Sequence, residues 1–335
     1  MLPLVQTLRF FFGKSDKPLD RFKKNNYNRR TVIIASITKS ERQDIMTKDM
    51  FGNLRYKVNL HTHTTLSDGR LSPAEAAASY KAMGYDAIAI TDHWKYHGEK
   101  SLAGLHIISG CEYNVGTADT IAGVSHIVGL GMRSEPVFQS DRSTPQGIIH
   151  AIHACGGIAV LAHPAWSLNL PDRSLKNLNY DATEIYNAVS NVAQSCRPYS
   201  GNFVDLMANL GVYYPLIAAD DAHYHHGIDD GKAYIMVKAD ELSTEAIIDA
   251  IKRRDFYATQ GPELHLRREG RKFIVDCSPS DIISFMSNSA WSNNRIFRGS
   301  ALTHAEYIPA DFEKWVRVEV TDAQGKQAWS NIEIV

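Results

Sequence analysis

The sequence predicts an α/β protein: a barrel of alternating strands and helices, followed by a small β-rich module. Between residues 56 and 261, short apolar strands alternate with amphipathic helices, the pattern of parallel βα units. This many consecutive units favours a barrel over an open sheet. After Gly261-Pro262 the helical period disappears, and short apolar runs separated by polar turns replace it. These observations divide the chain at residues 261 and 262.

The predicted strands of the barrel can be assigned in chain order. They are Lys57–His63, Asp86–Thr91, His106–Tyr113, His126–Met132, Ile158–Ala162, Ala182–Tyr186 and Pro215–Ala219. A helix begins after Ser72, with Pro73 at its first position and Glu75 placed for a capping box, and Gly84 ends it. A second helix begins at Thr144-Pro145 and stops at Cys155-Gly156-Gly157. Two further helices are expected at Asn202–Leu210 and Ser243–Arg254.

The C-terminal module, residues 262–335, is predicted to be an antiparallel β domain. Its expected strands are Leu264–Leu266, Lys272–Asp276, Ile282–Ser287, Tyr307–Ala310, Trp315–Thr321 and Ala328–Ile334.

The first 55 residues differ in charge from the rest of the chain. They contain 12 Lys/Arg and 5 Asp/Glu, a net charge of +7, which leaves −8 for residues 56–335. The apolar opening Leu2–Phe12 has no small-residue cleavage site, so a secretory signal is not expected. We predict a poorly ordered basic extension over residues 1–55. This interpretation includes translation upstream of a true start at Met46 or Met50, and a transit peptide is the alternative.

Composition narrows the class of protein. The chain has 335 residues, 44% hydrophobic and 22% charged, which is typical of a globular protein rather than a disordered or coiled-coil one. The net charge of −1 gives no global field that would attract nucleic acid or a membrane surface. No apolar run approaches the ~20 residues that span a bilayer. The four cysteines form no CxxC pair, which predicts a reducing, cytoplasmic location.

Most predicted barrel strands end in residue types that bind metals. The first strand ends His61-Thr62-His63, and residues i and i+2 of a strand point to the same face. The later strand ends carry Asp92-His93, Glu112, His163 and Asp221-Ala222-His223, Asp68 lies in the loop after the first strand, and His126 opens the fourth. Barrel folds of this type place their active sites at the carboxyl ends of the strands. The pattern therefore predicts one metal site.

The same residues resemble a known family. The motifs are HTHTTLSDG (His61–Gly69), ITDH (Ile90–His93), the strand of Glu112, His126, LAHP (Leu161–Pro164) and DAH (Asp221–His223). In this order they resemble the motifs of the PHP (polymerase and histidinol phosphatase) superfamily, over about residues 56–260. The resemblance implies a distorted (β/α)7, TIM-like barrel with a centre of two or three metal ions. The ending Val316–Ile332 also resembles the CehA/McbA-like branch, which appends a small β domain.

The resemblance implies a set of nine metal ligands. They are His61, His63, Asp68, His93, Glu112, His126, His163, Asp221 and His223. The implied cofactors are two or three divalent ions of zinc, manganese or iron. Some family members have His where this chain has Asp68, and the additional carboxylate favours manganese or iron. Asp92 and Asp220, each beside a ligand, are expected to support the ligands or to cap helices.

Four other polar residues are candidates for contacting the substrate. Glu184 and Asn187 are expected at the mouth of the barrel, with a structural ion pair as the alternative for Glu184. Arg197 and His97 lie in loops that could reach a phosphate, with plain surface as the alternative. His225 is expected in an exposed loop or as an occasional support for the ligands.

The predicted function is that of a metal-dependent phosphoesterase. In this interpretation a hydroxide bridging two metal ions attacks a small phosphorylated substrate, whose oxygens the ions also bind. The alternatives are a carbamate, ester or phosphotriester hydrolase with the same centre, a nuclease, and a metal-binding scaffold without turnover. The charge of −8 over residues 56–335 opposes a stable nucleic-acid partner. A small-molecule substrate and no membrane partner are expected, and a homo-oligomer is left open.

Overall fold

The computed structural model describes residues 47–116, 123–138, 144–171, 173–193 and 195–335, which belong to one compact unit. Most of the predicted basic extension, residues 1–46, lies outside these ranges. The strands are β1 (Thr47–Lys48), β2 (Leu54–Asn59), β3 (Ala87–Ala89), β4 (Lys100–Leu102), β5 (Leu105–Ile108), β6 (Gly110–Gly116), β7 (Val124–Leu130), β8 (Ile158–Leu161), β9 (Ala182–Asn187), β10 (Leu216–Ala219), β11 (Tyr234–Lys238), β12 (Phe256–Thr259), β13 (Leu264–Glu269), β14 (Lys272–Ser287), β15 (Ile296–Tyr307), β16 (Trp315–Thr321), β17 (Gln327–Trp329) and β18 (Glu333–Ile334).

Three of the helices begin at side-chain caps that the sequence predicts, at Ser72, Thr144 and Ser243, whereas the short helix at Arg173–Lys176 was not predicted. The helices are α1 (Pro73–Ala82), α2 (Pro145–Ala154), α3 (Arg173–Lys176), α4 (Gly201–Asn209) and α5 (Thr244–Arg253), with a 3₁₀ turn at Val189–Asn191. The Ser72 hydroxyl accepts from the Glu75 amide and the Glu75 carboxylate accepts from the Ser72 amide, which confirms the predicted capping box. Gly84 follows α1 with a φ of 77°, a conformation that glycine adopts without strain. None of the helices in the described part of the chain has the length and apolarity needed to cross a bilayer.

Two sheets form the body of the molecule. The larger sheet has the strand order β13-β14-β16-β17-β12-β11-β2-β3-β5-β4, and the smaller has the order β10-β9-β8-β7-β6. Pairing is parallel from β2 to β3 to β5 and from β8 to β9 to β10. Two isolated bridges, Thr62 with Ala222 and His93 with Glu112, connect the sheets. The fold is thus a mixed α/β arrangement, and no continuous ladder closes the two sheets among the described residues.

The expectation that the strands are parallel throughout is wrong at β7. This strand runs antiparallel to both β6 and β8. Only residues 117–123 separate β6 from β7, and a parallel crossover needs at least ~10–12 residues. The reversal puts the amino end of β7, which carries His126, at the edge where the parallel strands have their carboxyl ends. His126 can therefore reach the predicted metal site from the start of its strand.

The C-terminal strands continue the larger sheet. β17 pairs with β12, so the hydrogen-bonded ladder crosses the predicted boundary at residue 261. Trp315 and Trp329 are fully buried in the same core cluster as the strands of the first part. The larger sheet and this core are therefore shared by both parts of the chain. The division at residues 261 and 262 stays a prediction.

Several strand predictions in the C-terminal part need correction. Lys272–Asp276 and Ile282–Ser287 are one strand, β14, with register shifts between Asp276 and Ile282. Pro279 lies in this irregular stretch and has no N–H for a ladder, which is why the sequence resembles a turn there. The strand predicted at Tyr307–Ala310 instead ends at Tyr307, as β15. The sequence analysis did not identify β11 and β12.

A buried arginine joins the two parts. The guanidinium of Arg317, on β16, donates to the Asp205 carboxylate of α4 at 2.6 and 2.9 Å, and it also pairs with Glu319. Its side chain is fully buried. Removing one partner of a buried ion pair leaves the other charge desolvated without compensation.

We predict that Arg317→Ala lowers the free energy of unfolding by about 3–5 kcal/mol, because Asp205 and Glu319 would lose their counter-charge. The matched control is Arg267→Ala, which removes an exposed arginine paired with Asp276 and Glu269 and should cost less than about 1 kcal/mol. Urea unfolding of the two variants and the unmodified protein measures the difference. Equal losses in both variants would contradict a structural role for the Arg317 pair.

Candidate metal centre

The structure brings all nine sequence-predicted ligands together. We call these residues the histidine–carboxylate cluster: His61, His63, Asp68, His93, Glu112, His126, His163, Asp221 and His223. They come from the segments after β2, β3, β8 and β10, from β6, and from the amino end of β7. The following contacts explain why segments distant in sequence meet at this edge of the sheets.

Backbone pairing beyond the ends of β2 and β10 fixes the first half of the cluster. The amide of His63 donates to the Ala222 carbonyl at 3.0 Å, and the amide of Asp221 donates to the His61 carbonyl at 2.9 Å. This short parallel pairing places Asp221 and His223 beside His61 and His63. The Asp221 Oδ1 atom lies 3.0 Å from His63 Nε2 and 3.2 Å from His61 Nε2.

A second backbone pairing fixes the other half. The amide of Glu112 donates to the Thr91 carbonyl, and the amide of Trp94 donates to the Glu112 carbonyl. His93 and Glu112 therefore lie side by side. The Glu112 carboxylate is then surrounded by five imidazoles. Its Oε2 atom is 3.0 Å from His63 Nε2, 3.2 Å from His61 Nε2 and 3.2 Å from His93 Nδ1, and its Oε1 atom is 2.9 Å from His126 Nδ1 and 3.4 Å from His163 Nε2.

A tight loop returns Asp68 to the cluster. The amide of Gly69 donates to the Thr64 carbonyl at 2.9 Å, and a Cβ at Gly69 would lie 2.4 Å from the backbone of His63. Only glycine allows this approach. As a result, Asp68 Oδ1 lies 3.4 Å from both His63 Nδ1 and His223 Nε2, while about half of the Asp68 side chain stays exposed.

The cluster residues fit divalent metal ions. Three groups have ligand atoms within 4.8 Å of one another: His63-Asp68-His93-His223, His61-His63-Glu112-Asp221 and His93-Glu112-His126. Two buried atoms in these groups, Asp221 Oδ1 and His93 Nδ1, make no hydrogen bond, although buried polar atoms almost always have a partner. Imidazole and carboxylate donors suit zinc, manganese or iron. The donor chemistry and the two unpaired atoms therefore fit bound metal.

The electrostatics of the cluster come from buried carboxylates beside buried imidazoles. Burial raises the pKa of Glu112 and Asp221, but the surrounding histidines outweigh it and hold both pKa values below their usual range. Burial lowers the pKa of His61 and His63, but the neighbouring carboxylates raise both above the usual value. At His93 burial prevails and lowers the pKa to about 4. Metal binding at these imidazoles would replace protons, since ligating histidine is neutral.

Asp92 and Asp220 lie behind the cluster. Asp92 accepts hydrogen bonds from the Thr64 amide and hydroxyl, the Ser67 hydroxyl and His97. Burial raises its pKa, but these bonds outweigh burial and lower it to about 2. Asp220 accepts from the Tyr80 hydroxyl and from three successive amides at residues 231–233, and burial raises its pKa to about 7. Both residues hold the loops that carry ligands.

The structure differs from the expected positions of three substrate-contact candidates. Glu184 and Asn187 are fully buried behind the ligands rather than exposed at the mouth. Glu184 accepts from His61 Nδ1 and from the His163 amide, both at 2.8 Å. His97 is also buried, and its Nε2 donates to the Asp92 carboxylate at 2.7 Å.

The remaining contacts show how these residues support the site. Asn187 donates to the Glu184 carboxylate at 2.8 Å and to Asp221 Oδ2 at 3.1 Å, so it connects two strand ends. Arg197, the fourth candidate, is exposed in the loop before α4.

Two residues near the cluster have roles that the sequence did not indicate. His225 is fully buried, and its Nε2 donates to the His63 carbonyl at 3.1 Å, which agrees with the expected alternative of a support for the ligands rather than with an exposed loop. Trp166 packs its ring against His163 and His126, with centroid distances of 4.9 and 5.5 Å. The only signal in the sequence was proximity to the ligand motifs.

We predict that Glu112→Gln removes most of the bound metal and the stability that the metal provides. A metal at 100 times its dissociation constant stabilises a protein by about 2.7 kcal/mol. Glu112 belongs to two of the three ligand groups and contacts His63 of the remaining one, so its loss should affect all three. Metal analysis and thermal unfolding with and without Mn²⁺ or Zn²⁺ measure both effects. Glu306→Gln, which removes an exposed carboxylate paired with Lys272, is the control. Unchanged metal content in Glu112→Gln would contradict the assignment.

We also predict that Glu184→Gln weakens metal binding by about 10–100-fold, because a carboxylate that accepts from the second nitrogen of a ligating histidine orients that ligand. Asp276→Asn is the matched control, since Asp276 pairs with His304 in the same way on the surface. Titration with Mn²⁺ or Zn²⁺ gives the affinities. An affinity equal to that of the control would show that Glu184 does not orient His61.

Comparisons with known proteins address the family. The PHP domain model matches residues 59–227, which is 169 of 335 residues and just over half of the chain. No curated protein shows a significant match. Among solved structures, the chain is similar to a two-domain protein from Bacteroides vulgatus ATCC 8482 described as containing a predicted PHP-like metal-dependent phosphoesterase. The identity is 16% and the TM-score 0.50, over 93% of this chain and 99% of that one, which bears on the fold alone.

Two further structures match with lower TM-scores. An amidohydrolase from Chromobacterium violaceum is 17% identical over 51% of this chain and 89% of its own, with a TM-score of 0.38. The lesion-specific endonuclease PfuEndoQ from Pyrococcus furiosus is 15% identical over 59% of this chain and 56% of its own, with a TM-score of 0.44. The family assignment depends on the matched model rather than on these structures. With residues 59–227 matched, and six separated motifs brought to one site, the chain belongs to the PHP domain family.

Proposed function

We propose that this protein is a metal-dependent phosphoesterase that hydrolyses a small phosphorylated substrate at a di- or trinuclear centre formed by the histidine–carboxylate cluster. The observation that carries the proposal is the overlap of the three ligand groups. His63, His93 and Glu112 each belong to two of them, so ions in neighbouring groups would share ligands. Shared ligands are the arrangement expected of a multinuclear centre rather than of separate sites.

The exposure of the cluster indicates the side from which a substrate enters. His61, His63, Glu112 and Asp221 are nearly or fully buried, whereas Asp68 is about half exposed. Three further ligands are partly exposed: His93, His126 and His223. An ester that enters here meets the imidazoles and Asp68 first, with the buried carboxylates behind them.

The proposed reaction adds one water to a phosphate ester. The water oxygen bonds to phosphorus, the ester P–O bond breaks, and the products are inorganic phosphate and an alcohol that takes a proton. Divalent ions, when bound, would lower the pKa of water and neutralise phosphate oxygens. The chain's own contribution is to hold its ligands in place: Glu184 orients His61, and Asp92 fixes the loop that carries Asp68.

We further propose the distorted (β/α)7 barrel for the first part of the chain. Support comes from two bridges, between Thr62 and Ala222 and between His93 and Glu112, which join the two sheets at their ends. The strands connected in this way are the seven strands β2, β3 and β6–β10. The proposed domain division is 56–261 and 262–335. Membership of the CehA/McbA-like branch, with its appended β domain, remains a proposal as well.

A second candidate is hydrolysis of a carbamate, carboxylic ester or phosphotriester at the same centre. One observation favours it: among the described residues, the cluster carboxylates form ion pairs with histidines and with no lysine or arginine. A neutral substrate needs no such cation. The same experiment distinguishes the two candidates, provided that both substrate types are included.

We predict that the purified protein with Mn²⁺ or Zn²⁺ releases phosphate from members of a panel of phosphomonoesters, nucleotides and a chromogenic phosphodiester. His61→Ala, Asp68→Ala and Asp221→Ala should reduce release to the level of a buffer blank, because each removes a cluster ligand. Asp276→Ala, a surface carboxylate, is the control that should keep full activity. If metal-loaded protein releases no phosphate from any member of the panel but hydrolyses carbamates or carboxylic esters, the phosphoesterase proposal is overturned. Full activity in the ligand variants would exclude the cluster from catalysis.

A further inference from the structure

One aromatic side chain lies against the candidate centre without being enclosed by the fold. Trp166 follows His163 by three residues, and its ring meets the His163 and His126 rings edge to face, at interplanar angles of 79° and 69°. It remains 39% exposed, whereas Trp315 and Trp329 are almost completely buried. Its exposed face therefore lies beside the partly exposed ligands and borders the open side of the cluster.

Hydrogen bonds hold the loop of Trp166 in place. The Ala165 amide donates to the Ser200 hydroxyl at 3.2 Å, and the Asn169 side chain donates to the Val124 carbonyl at 2.8 Å. The Ser167 hydroxyl lies 3.1 Å from His163 Nδ1. Since hydrogen bonds on both sides of Trp166 hold the loop, the fold itself determines the position of the indole ring.

The exposed surface of this loop is apolar. Leu168 and Leu170 follow Trp166 at alternate positions and are 62% and 50% exposed, while Asn169 between them is buried. We call Trp166, Leu168 and Leu170 the apolar rim. Three exposed apolar side chains within five residues, the first of them in contact with two cluster imidazoles, could together contact the apolar part of a ligand.

A second aromatic side chain, that of Trp94, bonds to the residue of β6 that lies opposite His126. Asn114 is opposite His126 in the β6–β7 ladder, and its side chain accepts a hydrogen bond from the Trp94 indole at 2.8 Å. Trp94 in turn packs against Tyr113. Two tryptophans therefore lie near His126: Trp166 in ring contact with it, and Trp94 bonded to the residue opposite it.

We infer that Trp166 is a specificity-determining residue that binds an apolar, preferably aromatic, organic group of the ester. The inference rests on the proposed function and adds the class of substrate. Trp166 contacts two cluster imidazoles, so a group stacked on its ring lies within reach of an ester bound at the cluster. For this reason we assign the apolar rim to the organic group of the substrate rather than to another molecule. Burial of the indole face against an aromatic ring removes apolar surface from water on both partners.

The test compares two pairs of compounds with the full-length, metal-loaded protein. Benzyl and ethyl phosphate are esters of alcohols of similar acidity, so their kcat/KM ratio reports recognition of the organic group. Benzylphosphonate and methylphosphonate are not hydrolysed, and their affinities by calorimetry report the same preference without turnover. The unmodified protein should prefer the benzyl member of each pair by at least about tenfold.

The variants locate the preference. Trp166→Ala should reduce both benzyl preferences by about tenfold or more, and Trp166→Phe, which keeps an aromatic face, should restore most of the loss. Trp291→Ala, which removes a 74% exposed tryptophan of the C-terminal part, is the matched control and should leave both ratios unchanged. Metal content is measured in every variant, because Trp166 also packs on two cluster histidines. A lost preference with retained metal supports the inference.

The outcomes separate the inference from the proposed function. Equal affinity for the two phosphonates in the unmodified protein, including no measurable binding of either, overturns the inference even if phosphate esters are hydrolysed. An unchanged benzyl preference in Trp166→Ala overturns it as well. If neither phosphate ester is hydrolysed, the phosphonate affinities alone decide whether the rim recognises apolar groups, and the panel of phosphate esters decides the proposed function separately.

Discussion

The structure depends on two carboxylates buried among imidazoles. Glu112 and Asp221 lie at the centre of the cluster with almost no exposure, where an uncompensated negative charge would be costly. Their counter-charge has to come from the surrounding histidines, as imidazolium, or from metal ions held by neutral imidazoles. Because the second state also gives ligand roles to Asp221 Oδ1 and His93 Nδ1, which make no hydrogen bond, the arrangement fits bound metal.

Backbone pairing makes this concentration of charge achievable. Ligands that are distant in sequence approach one another because the segments after β2 and β10 pair, and those after β3 pair with β6. Residues outside the cluster then fix the ligands. Glu184 and Asn187 join His61, His163 and Asp221 from behind, while Asp92 holds the loop of Asp68. We propose that the apolar rim extends the same site to the organic part of a substrate.

The sequence predicted the helices with side-chain caps and the proximity of the candidate ligands, because caps and strand ends are local features. Ser72 and Glu75 define a helix start by themselves, and His61 and His63 share a face at any register. It could not predict that β7 is antiparallel, that Glu184 lies behind the ligands, or that His225 is buried. Each of these depends on how segments distant in sequence pack, as does the contact of Trp166 with His126 and His163.

Anomalous X-ray diffraction from crystals grown with Mn²⁺ tests the central claim most directly, since it locates manganese without reference to activity. We expect two or three anomalous peaks within the histidine–carboxylate cluster, with Glu112 in contact with more than one of them and with Asp221 Oδ1 and His93 Nδ1 as ligands. Manganese-saturated crystals with no peak in the cluster, or with peaks only at other carboxylates, would contradict it.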